Sequence, residues 1–207
     1  MIKKMSKYCW CIDAGHAEET PGKRSPKFPD GSQLMEYEFN RAVAAKLIKK
    51  LIKSNISYFL VTPESVKDIG LTIRAERINK HNCGKPKIGI SIHANAHGMG
   101  REFTSAEGWC VFTTKGQTNS DKVAEVFFQQ FKKDFPEHRM RRDTSDGDSD
   151  IEADFTILKR TNCPIILTEN FFMTNEKEAG LLMTDEFRER IAESHFQAIL
   201  TIEKNGI

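Results

Sequence analysis

The stretch Lys87-Ile88-Gly89-Ile90-Ser91-Ile92-His93, closed by Ala94-Asn95-Ala96, decides how the rest of the chain is read. Ile88, Ile90 and Ile92 alternate with smaller residues, the period-two pattern of a strand. The strand ends on a histidine whose small neighbours leave room for a ligand. Similar short apolar runs occupy residues 8–13, which lead into a turn at Gly15, and residues 57–62, 107–113 and 163–169. Between them lies helical periodicity. In residues 35–53, Phe39, Val43, Leu47 and Leu51 recur at four-residue steps with lysines on the other face. Residues 71–80, 120–135, 176–182 and 185–203 read as further helices; Val123, Val126, Phe127 and Phe131 line one inner face, and Phe187, Ile191, His195 and Ile199 another. Strands separated by helices predict an α/β fold on a largely parallel sheet, one domain over residues 1–207. In such folds ligands gather outside the carboxyl ends of the strands.

Composition sets outer bounds. The chain has 207 residues, with 39% hydrophobic and 29% charged residues, ordinary for a globular domain, and a net charge of +2. That charge gives no reason to expect a nucleic-acid partner. No apolar run approaches the ~18 residues a membrane span needs, so no membrane association is expected. Lys3 and Lys4 precede no apolar segment of signal-peptide length, so no secretion signal is read and synthesis in the cytoplasm is expected. Five cysteines without paired spacing read as free thiols, with Cys9 and Cys11 on one face of a strand rather than in a C-x-x-C pair.

Three strands lead to residues capable of metal or acid–base chemistry: His16 just beyond the first, His93 on the one quoted above, and Glu169 on the last long one. Glu36 opens the first long helix. Two histidines and a carboxylate are a known catalytic zinc set that keeps one position for water. Gly15 beside His16 allows close backbone approach. Glu169, following an apolar strand, is the candidate general base, because partial burial raises a carboxyl pKa into a useful range. Each residue has an ordinary alternative. A histidine at a strand end is often structural, Glu36 could simply favour the helix dipole, and Glu169 could pair with a basic residue. His97 and Glu38 are rival ligands, whereas His81, His138 and His195 read as surface or packing residues. Asp146, Asp148 and Asp150 resemble part of a calcium loop but lack its distal glutamate, and read as a solvated turn within a polar loop over 140–154. The proline- and glycine-bearing loop over 17–32 is long enough to suggest a functional wall.

Taken in order, these segments resemble the zinc-dependent N-acetylmuramoyl-L-alanine amidases of bacterial cell walls and phage endolysins. Asp13-Ala14-Gly15-His16, Glu36-Tyr37-Glu38-Phe39-Asn40, Leu71 to Asn79, Ser91-Ile92-His93-Ala94-Asn95, Glu107-Gly108-Trp109 and Pro164 to Asn175 follow that family's motifs in sequence. Two positions depart from it: Ala17 and Phe171 stand where the family has glycine. The resemblance implies a twisted, mostly parallel sheet with helices on both faces and one zinc ion per chain held by His16, Glu36 and His93. It also implies catalysis by Glu169 and substrate contact through Asn95 and Arg74. The implied reaction cleaves the amide between N-acetylmuramic acid and L-alanine in peptidoglycan, at the cell wall, by a monomer. Some relatives carry a helical insertion that blocks the site; the segment 139–154 is short and polar, so an open site is expected. Two other readings remain: a peptidoglycan-binding module without chemistry, and a zinc hydrolase of another peptide amide.

Overall fold

The computed structural model describes residues 6–145 and 147–207. The acidic turn expected around Asp146 and the amino-terminal lysines Lys3 and Lys4 lie outside the described residues or reach into that gap.

Six strands form one sheet in the order β2-β1-β3-β6-β4-β5. These are β1 (Cys9–Ala14), β2 (Ser57–Leu60), β3 (Lys87–Asn95), β4 (Cys110–Thr113), β5 (Ile151–Glu152) and β6 (Ile165–Phe172). The first three and β6 run parallel; β4 is antiparallel to β6, and β5 is parallel to β4. The helices are α1 (Glu36–Lys53), α2 (Leu71–Lys80), α3 (Asn119–Asp134), α4 (Thr156–Arg160), α5 (Glu176–Met183) and α6 (Asp185–Asn205).

Alternation within the strands divides the core in two. Trp10, Ile12, Ile88, Ile90 and Ile92 join Phe39, Val43 and Leu47 of α1 and apolar residues of α3 and α6 in one cluster. Cys11, Ile165 and Leu167 join Ala75 and Ile78 of α2 and Ile157 and Leu158 of α4 in the other. Helices therefore cover both faces, as a buried parallel sheet requires. The chain leaves β1 for β2 on one side and returns to β3 on the other, so the switch in strand direction of travel falls between β1 and β3. Their carboxyl ends open the crevice in which such folds place ligands.

Several boundaries differ from the sequence reading. The run 107–113 pairs as a strand only from Cys110. Before it, Gly108 takes φ 106°, and a side chain there would meet the Arg139 carbonyl at 2.5 Å. Trp109 instead exchanges backbone hydrogen bonds with Arg139 and Arg141 (2.9 and 2.8 Å). The polar segment 140–154 contains the edge strand β5, and the short helix α4 follows it; both are too short for periodicity to reveal. The loop over 17–32 is folded back on itself. Ser25 N–H donates to Leu34 (2.9 Å) and Glu36 N–H to Lys23 (3.0 Å), which holds the loop against the start of α1.

Candidate metal and catalytic site

Three elements converge beyond the carboxyl ends of β1 and β3. His16 follows β1 in the left-handed region (φ 60°), a conformation histidine tolerates better than most residues. Glu36 is the first residue of α1, whose N-cap, Met35, supplies no side-chain acceptor. The Glu36 carboxylate is nevertheless not spent on its own helix: its Oε1 accepts from the Ala94 N–H at 3.3 Å. The same oxygen lies 3.1 Å from His93 Nδ1 and 3.4 Å from His16 Nε2. The two imidazole rings stand edge-on, centroids 4.9 Å apart at 84°.

This donor set fits a zinc ion. Bonds of about 2.0–2.1 Å in a tetrahedral shell place neighbouring ligand atoms about 3.3 Å apart, the spacing found around Glu36 Oε1. The other carboxylate oxygen, Oε2, is buried without a hydrogen-bond partner among the described residues, an expensive state for a polar atom that has nothing to bind. Burial brings the His16 imidazole down to about 4, so it is a neutral donor at physiological pH. Burial opposes the protonated form of His93 as well, but hydrogen bonding and attraction from Glu36 outweigh it and raise that pKa.

The supporting contacts are specific. Asn40, one turn after Glu36, donates from Nδ2 to the Gly15 carbonyl at 3.0 Å, and Arg41 Nη1 donates to the His16 carbonyl at 2.7 Å. Helix α1 thus supplies one candidate ligand and fixes the loop that carries another. Gly15 is required by contact: a Cβ there would sit 2.1 Å from His93 Cε1. On the far side, Asn170 Nδ2 donates to the His93 carbonyl at 2.9 Å, while its Oδ1 accepts from Trp109 Nε1 at 3.0 Å. Asn170 also donates to Thr168 Oγ1 (3.2 Å), which in turn faces His195 Nε2 at 3.1 Å. The sequence reading assigned no role to Asn170; its amide sits next to Glu169 on an apolar strand, and a polar residue buried there was the available signal.

Glu169 is the register partner of His93 across the β3–β6 pair. One carboxylate oxygen, Oε2, is enclosed without a hydrogen-bond partner among the described residues. Burial, reinforced by the Glu36 carboxylate and opposed by His93, pushes its pKa up to about 8. A carboxyl group poised near neutrality can both take and return a proton. Immediately after it the pairing slips, with Asn170 and Phe171 inserted between the Glu169 and Phe172 partners. Phe171 occupies the left-handed region (φ 67°) that glycine would adopt freely. That conformation costs a residue with a side chain about 1–2 kcal/mol. The ring is fully buried against Phe135, His138 and Phe187 at centroid distances of 5.3, 4.8 and 5.2 Å. Burying a phenylalanine contributes about 1.5–3 kcal/mol, enough to offset the strain. The bulge therefore survives the substitution.

The remaining candidates separate. Asn95 is half-buried at the end of β3, its Oδ1 accepting from Ala96 N–H at 2.8 Å. Arg74, the other residue expected to touch substrate, is 2% exposed. Its guanidinium donates to Asp13 Oδ1 (3.0 Å), Asp68 Oδ1 (2.8 Å) and the carbonyls of Ala14 (3.0 Å) and Ile69 (2.6 Å). Four of the five N–H directions of the fork are taken by the protein, so Arg74 buttresses the end of β1. Glu38 is exposed and bonds Tyr37, and His97 is exposed; neither joins the His16–Glu36–His93 group. His195 and His138 pack among aromatic rings.

Comparison with known proteins identifies the family and the fold. A family model described as N-acetylmuramoyl-L-alanine amidase matches residues 11–201. An endolysin of Bacillus phage SPP1 is 28% identical over 199 residues, 96% of this chain and 66% of the endolysin. The N-acetylmuramoyl-L-alanine amidase LytC of Bacillus subtilis (strain 168) is 26% identical over 186 residues, 88% of this chain and 33% of LytC. The chain thus spans just under two thirds of the first relative and a third of the second. Among solved structures, an N-acetylmuramoyl-L-alanine amidase from Clostridium difficile 630 superposes with a TM-score of 0.79 at 24% identity, covering 97% of this chain and 98% of that one. At that identity the likeness establishes the fold.

Proposed function

Because the chain belongs to the N-acetylmuramoyl-L-alanine amidase family, we propose that it hydrolyses the amide joining N-acetylmuramic acid to the L-alanine of the peptidoglycan stem peptide. The observation that carries this reading is the convergence of His16, Glu36 and His93, whose ligand atoms lie within 4.8 Å of one another, beside the paired Glu169. His16, Glu36 and His93 would hold one zinc ion. When bound, zinc polarises the scissile carbonyl and lowers the pKa of a water toward about 7.

Glu169 takes the proton from the attacking water as the oxygen adds to the amide carbon. It then returns that proton to the alanine nitrogen as the carbon–nitrogen bond breaks. Asn40 and Arg41 hold the His16 loop, and Asn170 holds the backbone of His93, so the candidate ligands keep their positions through the cycle. Asn95, at the open end of β3, is the substrate-contacting side chain. Residues 1–207 act as one catalytic unit, monomeric, with the cell wall as its place of action.

Digestion of purified peptidoglycan tests this directly. The expected products are new alanine amino termini without new reducing sugars, formed only by the zinc-loaded chain. Release of another amino terminus would point to a different peptide amide. Binding to peptidoglycan without any product would point to a module that has lost its chemistry.

A further inference from the structure

A second group of metal-ligating side chains lies at the other end of the sheet. Cys9 opens β1, His81 caps the carboxyl end of α2, and Cys83 follows in the turn leading toward β3. Their ligand atoms all lie within 4.8 Å of one another. The catalytic candidates sit beyond the opposite end of β1; at ~3.3 Å per residue the two groups are about 20 Å apart.

We propose that Cys9, His81 and Cys83 form a second metal site, which takes a thiophilic cation such as zinc. Two sulfurs and one imidazole suit a soft or borderline ion and disfavour magnesium or calcium. The ligands are held on ordered elements. The Cys9 N–H donates to the Pro86 carbonyl at 2.9 Å. The His81 ring stacks on Phe59, centroids 4.0 Å apart and 7° from parallel. Asn82 Oδ1 accepts from the Gly84 N–H at 3.0 Å, closing the turn around Cys83. Lys87 Nζ donates to the carbonyls of Ile78, Asn79 and His81 at 2.7, 3.0 and 3.0 Å, clamping the end of α2 to the sheet.

Access is available. Cys9 and Cys83 line a surface hollow of 620 Å³ with Ser57, Tyr58 and Lys85. Among the described residues that line it the hollow has no carboxylate, so sulfur and nitrogen are the donors offered to a cation there. Three protein ligands leave a fourth position for water in a tetrahedral shell.

Cobalt substitution separates this site from the catalytic one, because a thiolate-to-cobalt charge-transfer band requires sulfur and the His16–Glu36–His93 set has none. Cobalt(II) is titrated into the fully reduced chain and the near-ultraviolet band recorded. The band is expected in the parent protein, unchanged in His16→Ala and weakened at least twofold in Cys83→Ser. His81→Ala is expected to weaken cobalt binding at least tenfold. Zinc is expected to slow alkylation of the half-exposed Cys83, mapped by mass spectrometry, at least tenfold. No sulfur band in the parent protein, a band undiminished in Cys83→Ser, or alkylation of Cys83 indifferent to zinc would overturn the proposal. Cys83 is half-exposed in a turn, and circular dichroism of Cys83→Ser verifies that the fold is intact.

Discussion

Gly15→Ala is the sharpest perturbation of the candidate zinc site, because it adds one methyl group and removes nothing. Gly15 is not in the left-handed region, so alanine fits its backbone. The added Cβ would lie 2.1 Å from His93 Cε1, whereas ordinary van der Waals contact begins at 3.4 Å; the ring must therefore move by the difference, 1.3 Å. It cannot move freely, since Asn170 holds the His93 carbonyl and Glu36 meets its Nδ1. Coordination distances tolerate only about 0.2 Å. Losing one supporting partner of a ligand already costs 10–100-fold in metal affinity, so displacing the ligand itself is expected to cost at least ~100-fold, or about 2.7 kcal/mol. Zinc affinity is measured by competition with a chromogenic chelator, with circular dichroism and thermal melting to verify the fold. Gly180→Ala serves as control: nothing lies within 4 Å of its added Cβ, and its zinc affinity should equal that of the parent. A folded Gly15→Ala protein binding zinc within about threefold of the parent would refute the placement of His93 in the metal shell.

Glu169→Gln should retain zinc yet lose hydrolysis by ~10² or more, the loss expected when a general base is removed; turnover near that of the parent would remove Glu169 from its role. Arg74→Ala leaves the buried Asp13 carboxylate without its 3.0 Å partner and should destabilise the fold by about 3–5 kcal/mol in denaturant titration. A normally stable Arg74→Ala protein with only a raised KM would restore the substrate-contact role. His195 is buried, and burial lowers its pKa to about 4, against ~6.5 in an unfolded chain. Only the unfolded state takes up a proton between those values, so stability contributed by the neutral ring is complete above ~6.5 and falls by about 3 kcal/mol as pH drops toward 4. His195→Phe should flatten that part of the stability–pH curve, and an unchanged slope would count against the assignment.

What could be read from the chain by itself follows from short-range order. The alternation of Ile88, Ile90 and Ile92 and the four-residue spacing of Phe39, Val43, Leu47 and Leu51 are local consequences of which face is buried, and both elements form where those patterns lie. His16, Glu36, His93 and Glu169 could be picked out because each sits within a few residues of a strand end or helix start, where an α/β sheet collects its chemistry. Asn40 was legible as a motif position but not as the clamp on Gly15, since the two are 25 residues apart.

Tertiary structure decided the rest, because burial and long-range contact set it. An arginine four residues into an amphipathic helix looks the same whether it faces substrate or Asp13; only the packing of α2 against the end of β1 buries Arg74 and commits its donors. Phe171 in place of glycine reads as a threat to the backbone until Phe135, His138 and Phe187 enclose its ring. Cys9 lies more than 70 positions before His81 and Cys83, and no spacing rule joins them. The parallel register of Cys9 with Lys87 brings the start of β1 beside the turn that follows α2. The sequence alone thus determined which residues have the chemistry and which periodicities carry the fold. Which of them meet, and which are buried, was decided by the sheet that brings distant segments into register.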